Sequence, residues 1–150
     1  METIRIEPAG HESRPALVAL LQSLRLPTED LPAHLNGFFL AFDKEGMPVG
    51  SVGIQRLGAS ALLRSFAVHE NYRKAGLGRQ LFEKVLQFAR DAGFQEVWLI
   101  TNSADLYFER QGFERVDRAM APPDISATSQ FTGLCPSSSA VMRKQIQGVS

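Results

Sequence analysis

The chain has only one cysteine, Cys135, which excludes an internal disulfide and any metal site built from several thiolates. It has no excess of either charge, because 16 Lys and Arg residues balance 16 Asp and Glu residues. Nucleic acids and membrane surfaces usually bind proteins with a basic excess, so we expect neither partner. The sequence also lacks an apolar run of about 18 residues and a signal-peptide pattern. We therefore expect a cytoplasmic protein. Its three histidines are dispersed, and we expect no metal.

The length and the apolar content are those of one globular domain. Hydrophobic residues make up 44% of the 150 residues, and charged residues make up 21%. A chain of this length buries about two thirds of its unfolded surface on folding. We predict a single domain that spans residues 1–150.

Apolar periodicity predicts a mixed α/β (α+β) fold with an antiparallel meander, followed by a strand–helix–strand unit that places a parallel pair at the centre of the sheet. Gly50 and Gly53 are predicted bulges. The predicted strands are Thr3–Glu7, Phe38–Phe42, Pro48–Leu57, Ala59 or Ala61 to Val68, Glu96–Thr101, Phe113–Val116 and Ala140–Ile146. Helices are predicted after Ser13, from Thr28 toward Leu35, from the glycine loop to Gly93, and at Ala104–Gln111. The serine- and proline-rich segment Ala121–Ala140 is predicted to be a long loop, and loops of this length are commonly functional.

The stretch Leu62–Leu86 runs from an apolar strand through a basic glycine loop into an amphipathic helix. Backbone N–H groups and the helix dipole make such a helix start a site for anions. Gly76 and Gly78 allow the main chain to approach a ligand closely. Because three cations, Arg73, Lys74 and Arg79, surround the same loop, we predict that it binds a pyrophosphate.

The loop sequence RKAGLG, residues 73–78, fits the pattern [Q/R]-x-x-G-x-[G/A], and Thr101, Ala104 and Gly112-Phe113 follow at the spacing of a second landmark. In both features the chain resembles the GNAT superfamily of N-acetyltransferases. The resemblance implies a mostly antiparallel sheet that is splayed at its central parallel pair, with helices on both faces and acetyl-CoA as the cosubstrate. By the same resemblance, the residues that bind the cofactor would be Phe66, Ala67, Val68, Arg73, Lys74, Ala75, Gly76, Leu77, Gly78, Arg79 and Thr101.

A longer pattern resembles a narrower group. It comprises LLRSFAV before the loop, the segment T-x-x-A-x-x-Y-F-x-x-x-G-F, and a later run that ends in L-C-P-x-S-x-A-x-M. This group contains the GNAT proteins encoded with arsenic-resistance genes, which are similar to short amino-acid N-acetyltransferases. The resemblance implies that the acceptor is the amine of a small amino-acid-like molecule, with an arsenical or another toxin as one option, and that the protein is a homodimer. Acetylation of a protein or peptide is a further alternative, which the long loop disfavours because it would narrow the cleft.

Both of the residues that commonly move protons in this superfamily are replaced. Leu62 stands where many members have a carboxylate base, and Phe108 stands where many have a tyrosine acid. Tyr107 is adjacent to Phe108 but points about a hundred degrees away around a helix. Tyr107 is therefore either the catalytic acid or a packing residue. The loss of both usual positions also leaves open a non-catalytic acyl-CoA-binding module that acts as a sensor or interaction partner.

Six residues are candidates for contacts with the acceptor. Arg64 would share one strand face with Leu62 and Phe66, and it would either clamp an acceptor carboxylate or form a structural salt bridge with an Asp or Glu. Thr128 and Gln130, with the serines at 137–139, would either contact the acceptor or form turns within the loop. Cys135 is interpreted as a small packing residue, since a single thiol is a poor arsenite site.

Overall fold

A computed structural model describes residues 4–26, 28–73, 76–102, 104–128, 131 and 139–147 of the chain. Within these residues the strands are β1 (Arg5–Pro8), β2 (Phe38–Phe42), β3 (Pro48–Leu57), β4 (Ser60–Val68), β5 (Glu96–Thr101), β6 (Glu114–Val116) and β7 (Ala140–Gln145). The α-helices are α1 (Arg14–Ser23), α2 (Leu77–Asp91), α3 (Asp105–Arg110) and α4 (Pro123–Ser126). Short 3-10 turns lie at His11–Ser13, Glu70–Tyr72 and Arg118–Met120.

The strands of the described residues form one seven-stranded sheet in the order β1-β2-β3-β4-β5-β7-β6. The pairs β1–β2, β2–β3, β5–β7 and β6–β7 are antiparallel, and β4–β5 is parallel. The parallel ladder joins Ala61 to Val97 and Leu62 to Trp98. This arrangement confirms the predicted mixed fold, with a mostly antiparallel sheet and a parallel pair inside it.

The chain divides into two compact units. The first contains Met1–Gln55 and Arg64–Phe88, and the second contains Arg56–Leu63 and Ala89–Ser150. In the first unit, α1 packs its leucines on β2 and on Ala67 of β4. In the second, Leu62 and Trp98 pack with Ile125 and Val141. That residues 1–150 form a single domain stays a prediction.

The amphipathic pattern of α2 correctly predicts its buried face. Leu81, Phe82, Val85, Leu86 and Ala89 are all buried, as their spacing requires. The polar residues between them are largely exposed. Burial of this apolar stripe holds α2 against the core. The position of the first turn of α2, and of its free backbone N–H groups, is fixed as a result. No helix in the described parts of the chain combines the length and apolar character that crossing a bilayer requires.

The predicted helix between Thr28 and Leu35 is wrong. This segment contains one turn, closed by the Leu31 N–H donating to the Thr28 carbonyl at 3.3 Å, and otherwise irregular backbone. Pro32 provides no N–H and disfavours helical backbone at Leu31 before it. The Asp30 carbonyl is also committed elsewhere, since it accepts a hydrogen bond from Arg64.

The glycines of β3 have different roles, and only one lies at an irregularity in the β2–β3 pairing. The register shifts between Ala41, which pairs with Gly50, and Phe42, which pairs with Pro48. A bulge at this end of β3 agrees with the prediction for Gly50. Gly53, in contrast, pairs regularly with Phe38, and a Cβ on it would overlap the Phe38 ring. The predicted bulge at Gly53 is therefore wrong, because the glycine instead makes room for an aromatic side chain.

Substitution of Gly53 by alanine is expected to lower the free energy of unfolding by about 1–3 kcal/mol, because the buried Phe38 ring would have to move. Urea denaturation of the purified variant measures this change. Gly10→Ala is the matched control, since a Cβ there meets no atom within 4 Å and its φ is −142°. Equal stabilities of the two variants would contradict the close packing of Phe38 on Gly53.

The described residues of the segment Ala121–Ala140 contain more regular structure than the predicted loop. Within its described residues it contains α4, and Ile125 of this helix is fully buried. Asp124 lies against Gly58 in the turn between β3 and β4, where Gly58 has a φ of +63°. Ile125 packs in the core of the second unit, with Ala121 and Phe131 of the same segment against it. Cys135 and the serines at 137 and 138 lie outside the described residues.

Candidate functional site

The glycine loop connects β4 to α2 within the first unit. His69 ends β4 and caps the Glu70–Tyr72 turn, because its Nδ1 accepts a hydrogen bond from the Asn71 N–H at 3.2 Å. Gly76 then has a φ of +82°, and a Cβ on it would meet no atom within 4 Å. The chain therefore passes through a left-handed residue beside open space directly before α2 begins. The 15-residue helix presents the N–H groups of its first turn at this point.

Two of the three predicted cations of the loop can be described. Arg73 is exposed, and its Nε donates to the Val68 carbonyl at 3.0 Å, which holds the guanidinium beside the end of β4. Arg79 is exposed in the first turn of α2. Lys74 and Ala75 lie outside the described residues. The described part of the loop therefore combines a left-handed glycine, a helix start and two cations, a combination suited to an anionic ligand.

The residues predicted to bind the cofactor through their main chain form the last part of β4. Phe66 and Val68 are half-buried, and the Phe66 ring packs edge-on against Phe82 of α2 with 6.1 Å between centroids. Ala67 is buried in the core of the first unit, and Leu77 is buried at the start of α2. Ala67 and Leu77 are thus packing residues whose side chains are turned away from solvent, which leaves only their main chains for a ligand.

A strained residue interrupts β4 before this segment. Ser65 has a φ of 55°, a conformation that non-glycine residues rarely adopt in a strand. Its carbonyl accepts a hydrogen bond from the buried Ser51 hydroxyl at 2.6 Å. Side chains alternate between the two faces of a strand only where the pleat is regular. The expectation that Arg64 and Phe66 share one face therefore does not carry across Ser65.

The side chain of Arg64 is buried, with 2% exposed, and is bound by protein groups. Its Nη2 pairs with Asp30 Oδ1 at 2.7 Å, and its Nη1 donates to Gln55 Oε1 at 2.9 Å and to the Asp30 carbonyl at 3.1 Å. Of the two predicted roles, the structure contains the salt bridge. An acceptor carboxylate would have to displace Asp30 from this buried guanidinium, and the carboxylate clamp stays a prediction. No sequence pattern identified Asp30 as the partner, because it lies 34 residues from Arg64.

Thr101 and Tyr107 lie in the second unit. The Thr101 Oγ1 accepts a hydrogen bond from the Ala104 N–H at 3.0 Å and so caps the start of α3. Tyr107 is half-buried on α3, where burial raises the pKa of its hydroxyl above the ordinary value. Leu62 and Phe108, which replace the common base and acid, are both buried in apolar surroundings. Tyr107 is therefore protonated at neutral pH and is a candidate proton donor.

Of the candidate acceptor contacts Thr128 and Gln130 in the long loop, the structure describes Thr128. Thr128 Oγ1 donates to the Ile125 carbonyl at 2.8 Å and accepts from the Phe131 N–H at 3.3 Å, so the hydroxyl closes the turn after α4. This is the turn-forming alternative that the sequence left open. Gln130 lies outside the described residues. No group of three or more His, Cys, Asp or Glu side chains in the described part of the chain is arranged to hold a metal ion.

A known protein family matches the part of the chain that contains this loop. Residues 7–113 match the model of the Acetyltransferase (GNAT) family, and this range includes β4, the glycine loop, α2 and β5. The chain belongs to the GNAT family. GNAT proteins are acyltransferases, so the family match confirms the enzyme class that the sequence motifs predicted.

The relatives of this GNAT chain include two acetyltransferases that are each 31% identical to it. An uncharacterised N-acetyltransferase of Chlorobaculum tepidum is 31% identical over 103 residues, which are 68% of this chain and 65% of the relative. An amino-acid acetyltransferase of Edwardsiella ictaluri is 31% identical over 113 residues, which are 72% of this chain and 25% of the relative. The chain thus spans less than two thirds of either relative.

A solved structure has the same GNAT fold. The N-acetylglutamate synthase from Neisseria gonorrhoeae, complexed with coenzyme A and N-acetyl-glutamate, superposes with a TM-score of 0.80 at 15% identity. The superposition covers 97% of this chain and 36% of the synthase chain. At this identity the likeness supports the fold alone.

Proposed function

We propose that this GNAT protein transfers the acetyl group of acetyl-CoA to the amine of a small amino-acid-like acceptor. The observation that carries the proposal is the loop before α2, where Gly76 has a φ of +82° next to Arg73 and Arg79. This loop suits the pyrophosphate of CoA, because a helix start and two guanidinium groups both favour phosphate oxygens. Lys74, Ala75 and Gly78 belong to the same proposed site. The proposal places the protein in the cytoplasm as a homodimer.

The class of acceptor rests on two separate supports. One relative is named an amino-acid acetyltransferase, and the fold neighbour was solved with N-acetyl-glutamate. The sequence pattern that ends at Met142 resembles GNAT proteins encoded with arsenic-resistance genes. We therefore include an organoarsenical amino acid and a phosphinothricin-like amino acid among the acceptors to be tested. Both offer a primary amine beside an anionic group.

In the proposed reaction the neutral amine attacks the thioester carbonyl carbon directly. The new N–C bond forms, the C–S bond breaks, the nitrogen loses one proton and the departing thiolate gains one. The main chain of Phe66 and Val68 would bind the pantetheine arm of CoA as an added strand. The Tyr107 hydroxyl would give the thiolate its proton. Because Leu62 supplies no base, water would remove the proton from the amine.

The replacement Tyr107→Phe tests the proton donor and is expected to lower kcat by about 100-fold, the lower end of what acid catalysis contributes. Because burial raises the pKa of Tyr107 above about 10, the donor stays protonated through the neutral range, and kcat should fall on the alkaline side only above pH 10. The profile of kcat between pH 6 and about 10.5 measures both effects, and Tyr72→Phe is the control. An unchanged kcat in Tyr107→Phe would remove the residue from the mechanism.

The proposed function is tested by the release of CoA thiol from acetyl-CoA in the presence of an amine. The panel contains the proteinogenic amino acids, the two toxin-like amino acids and simple amines without a carboxylate. We expect release that depends on an amino acid, with its N-acetyl derivative identified by mass spectrometry. Acetylation of simple amines in preference to amino acids would contradict the proposed acceptor class.

A non-catalytic acyl-CoA-binding module is the second candidate. The observation that favours it is that Leu62 and Phe108, at the two usual positions for proton transfer, are buried apolar side chains. The two candidates differ in one measurement. Tight binding of CoA in calorimetry, without amine-dependent thiol release across the panel, would establish the module and exclude the enzyme.

A further inference from the structure

Ser139 lies directly before β7, and its side-chain hydroxyl is buried. The residue is 7% exposed. Its Oγ has no hydrogen-bond partner in the structure as far as the chain is described. A buried hydroxyl normally has a partner, because its removal from water is costly when no other bond replaces the lost one. The hydroxyl of Ser139 is therefore able to form a hydrogen bond with a group that is not part of the described chain.

The position of Ser139 points to a ligand. The β5–β7 ladder ends at the pair of Thr101 with Ala140, so Ser139 lies one residue beyond the last pair, at the carboxyl end of β5. Strand β5 is a member of the parallel pair of the sheet. In α/β sheets, ligands bind outside the carboxyl ends of parallel strands. Ser139 thus occupies the end of the strand at which a substrate is expected.

Three other hydroxyl groups of the second unit are engaged by the protein. Thr101 Oγ1 caps α3, and Thr128 Oγ1 closes the turn after α4. The Ser126 hydroxyl donates to the Pro123 carbonyl at 3.3 Å. Arg64, the side chain that the sequence offered for an acceptor carboxylate, is held by Asp30. A different donor is then required for that carboxylate, and Ser139 is an uncommitted hydroxyl at the appropriate strand end.

We propose that the Ser139 hydroxyl donates a hydrogen bond to the carboxylate of the amino-acid-like acceptor. The inference rests on the proposed function and assigns a residue to the selection of its substrate. A bond from a neutral hydroxyl to a charged carboxylate oxygen is short and strong in a buried site. Ser139 therefore favours amines that carry a carboxylate over amines that lack one.

Ser139→Ala is the decisive variant, and two substrate pairs that differ only in the carboxylate report on it: L-phenylalanine with phenethylamine, and L-leucine with 3-methylbutylamine. We expect KM for the better amino acid to rise about 10- to 100-fold, while KM for its partner amine and the Kd for CoA stay unchanged. The Tm of the variant without ligand should not fall, because the substitution removes a hydroxyl that has no partner. Ser139→Thr should retain the preference for the amino acid, and Ser126→Ala is the control for loss of a partnered hydroxyl.

Each other result overturns the inference. A lower Tm in Ser139→Ala would show that the hydroxyl has a structural partner. A weaker Kd for CoA with an unchanged acceptor KM would assign the hydroxyl to the cofactor, and unchanged values throughout would leave it bound to an ordered water. If the wild-type protein releases no thiol with any amine, the proposed function fails and this inference fails with it. If the wild-type protein turns over and Ser139→Ala keeps its preference, the inference alone fails.

Discussion

Replacing Asp30 by alanine is expected to lower the free energy of unfolding by about 3–5 kcal/mol, the usual cost of removing one partner of a buried ion pair. The cost arises because the Arg64 guanidinium, 2% exposed, would remain in the protein interior without its anion. Gln55 and the main chain at residue 30 would still accept its hydrogen bonds but would not neutralise its charge. Urea unfolding at pH 7 and constant ionic strength measures the loss.

The control for Asp30→Ala is Glu7→Ala, which breaks the exposed pair between Arg5 and Glu7. Exposed pairs contribute about 0–1 kcal/mol, so this variant should be nearly as stable as the wild type. The double variant Asp30→Ala with Arg64→Met should recover part of the loss, because it removes the charge together with its partner. If Asp30→Ala lowered the free energy of unfolding no more than Glu7→Ala does, water would have to reach Arg64. A role of Arg64 in binding an acceptor carboxylate would then be supported.

Removing both described cations of the glycine loop, in the variant Arg73→Ala with Arg79→Ala, is expected to weaken CoA binding by about 100-fold or more. Hydrogen bonds to charged groups contribute about 1.5–3 kcal/mol each, and the proposed pyrophosphate would lose two such donors. Isothermal titration calorimetry with CoA measures the change. The Kd of the wild type should also rise with salt concentration more steeply than that of the variant.

The matched control for the loop variant is Lys44→Ala with Lys84→Ala, which changes the net charge equally at exposed positions outside the loop. Its affinity for CoA should stay within about twofold of the wild type, because neither lysine belongs to the proposed pyrophosphate site and salt weakens the effect of exposed charges that make no direct contact. Similar losses in both double variants would show that the loop residues act only through the overall charge. Arg79→Ala alone separates phosphate binding from the bond of Arg73 to the Val68 carbonyl, because it leaves Arg73 intact.

Local patterns were sufficient to predict most of the fold. The spacing of Leu81, Val85 and Ala89 identified the buried face of α2, and alternating or apolar runs located the strands. The glycine loop was recognisable because its residues are consecutive. These features are determined by residues that are close in the chain. The spacing of apolar residues in the sequence is therefore enough to predict them.

The site chemistry depended on contacts that the sequence does not encode locally. Arg64 suggested a clamp because its partner lies 34 residues away in a segment predicted, wrongly, to be helical. The left-handed Ser65 had no signal, since a serine does not mark a positive φ as glycine does. Thr101 and Thr128 were chosen for their hydroxyls, and the sequence did not decide between a ligand contact and the main-chain N–H groups that both hydroxyls accept from in the structure. Which hydroxyl remains unpaired becomes visible only after the chain has folded.

The strand order of the second unit has a consequence for synthesis of the protein. Strand β7 lies between β5 and β6, and β6 pairs with β7 at Glu114, Arg115 and Val116. A ribosome delivers β5 and β6 first, so neither can complete its place in the sheet until residues 140–145 have emerged. During that interval the β5 edge exposes Val97 and Leu99 beside unpaired backbone, a surface that invites aggregation. Variants that slow translation between β6 and β7 would prolong this exposure without changing the folded molecule.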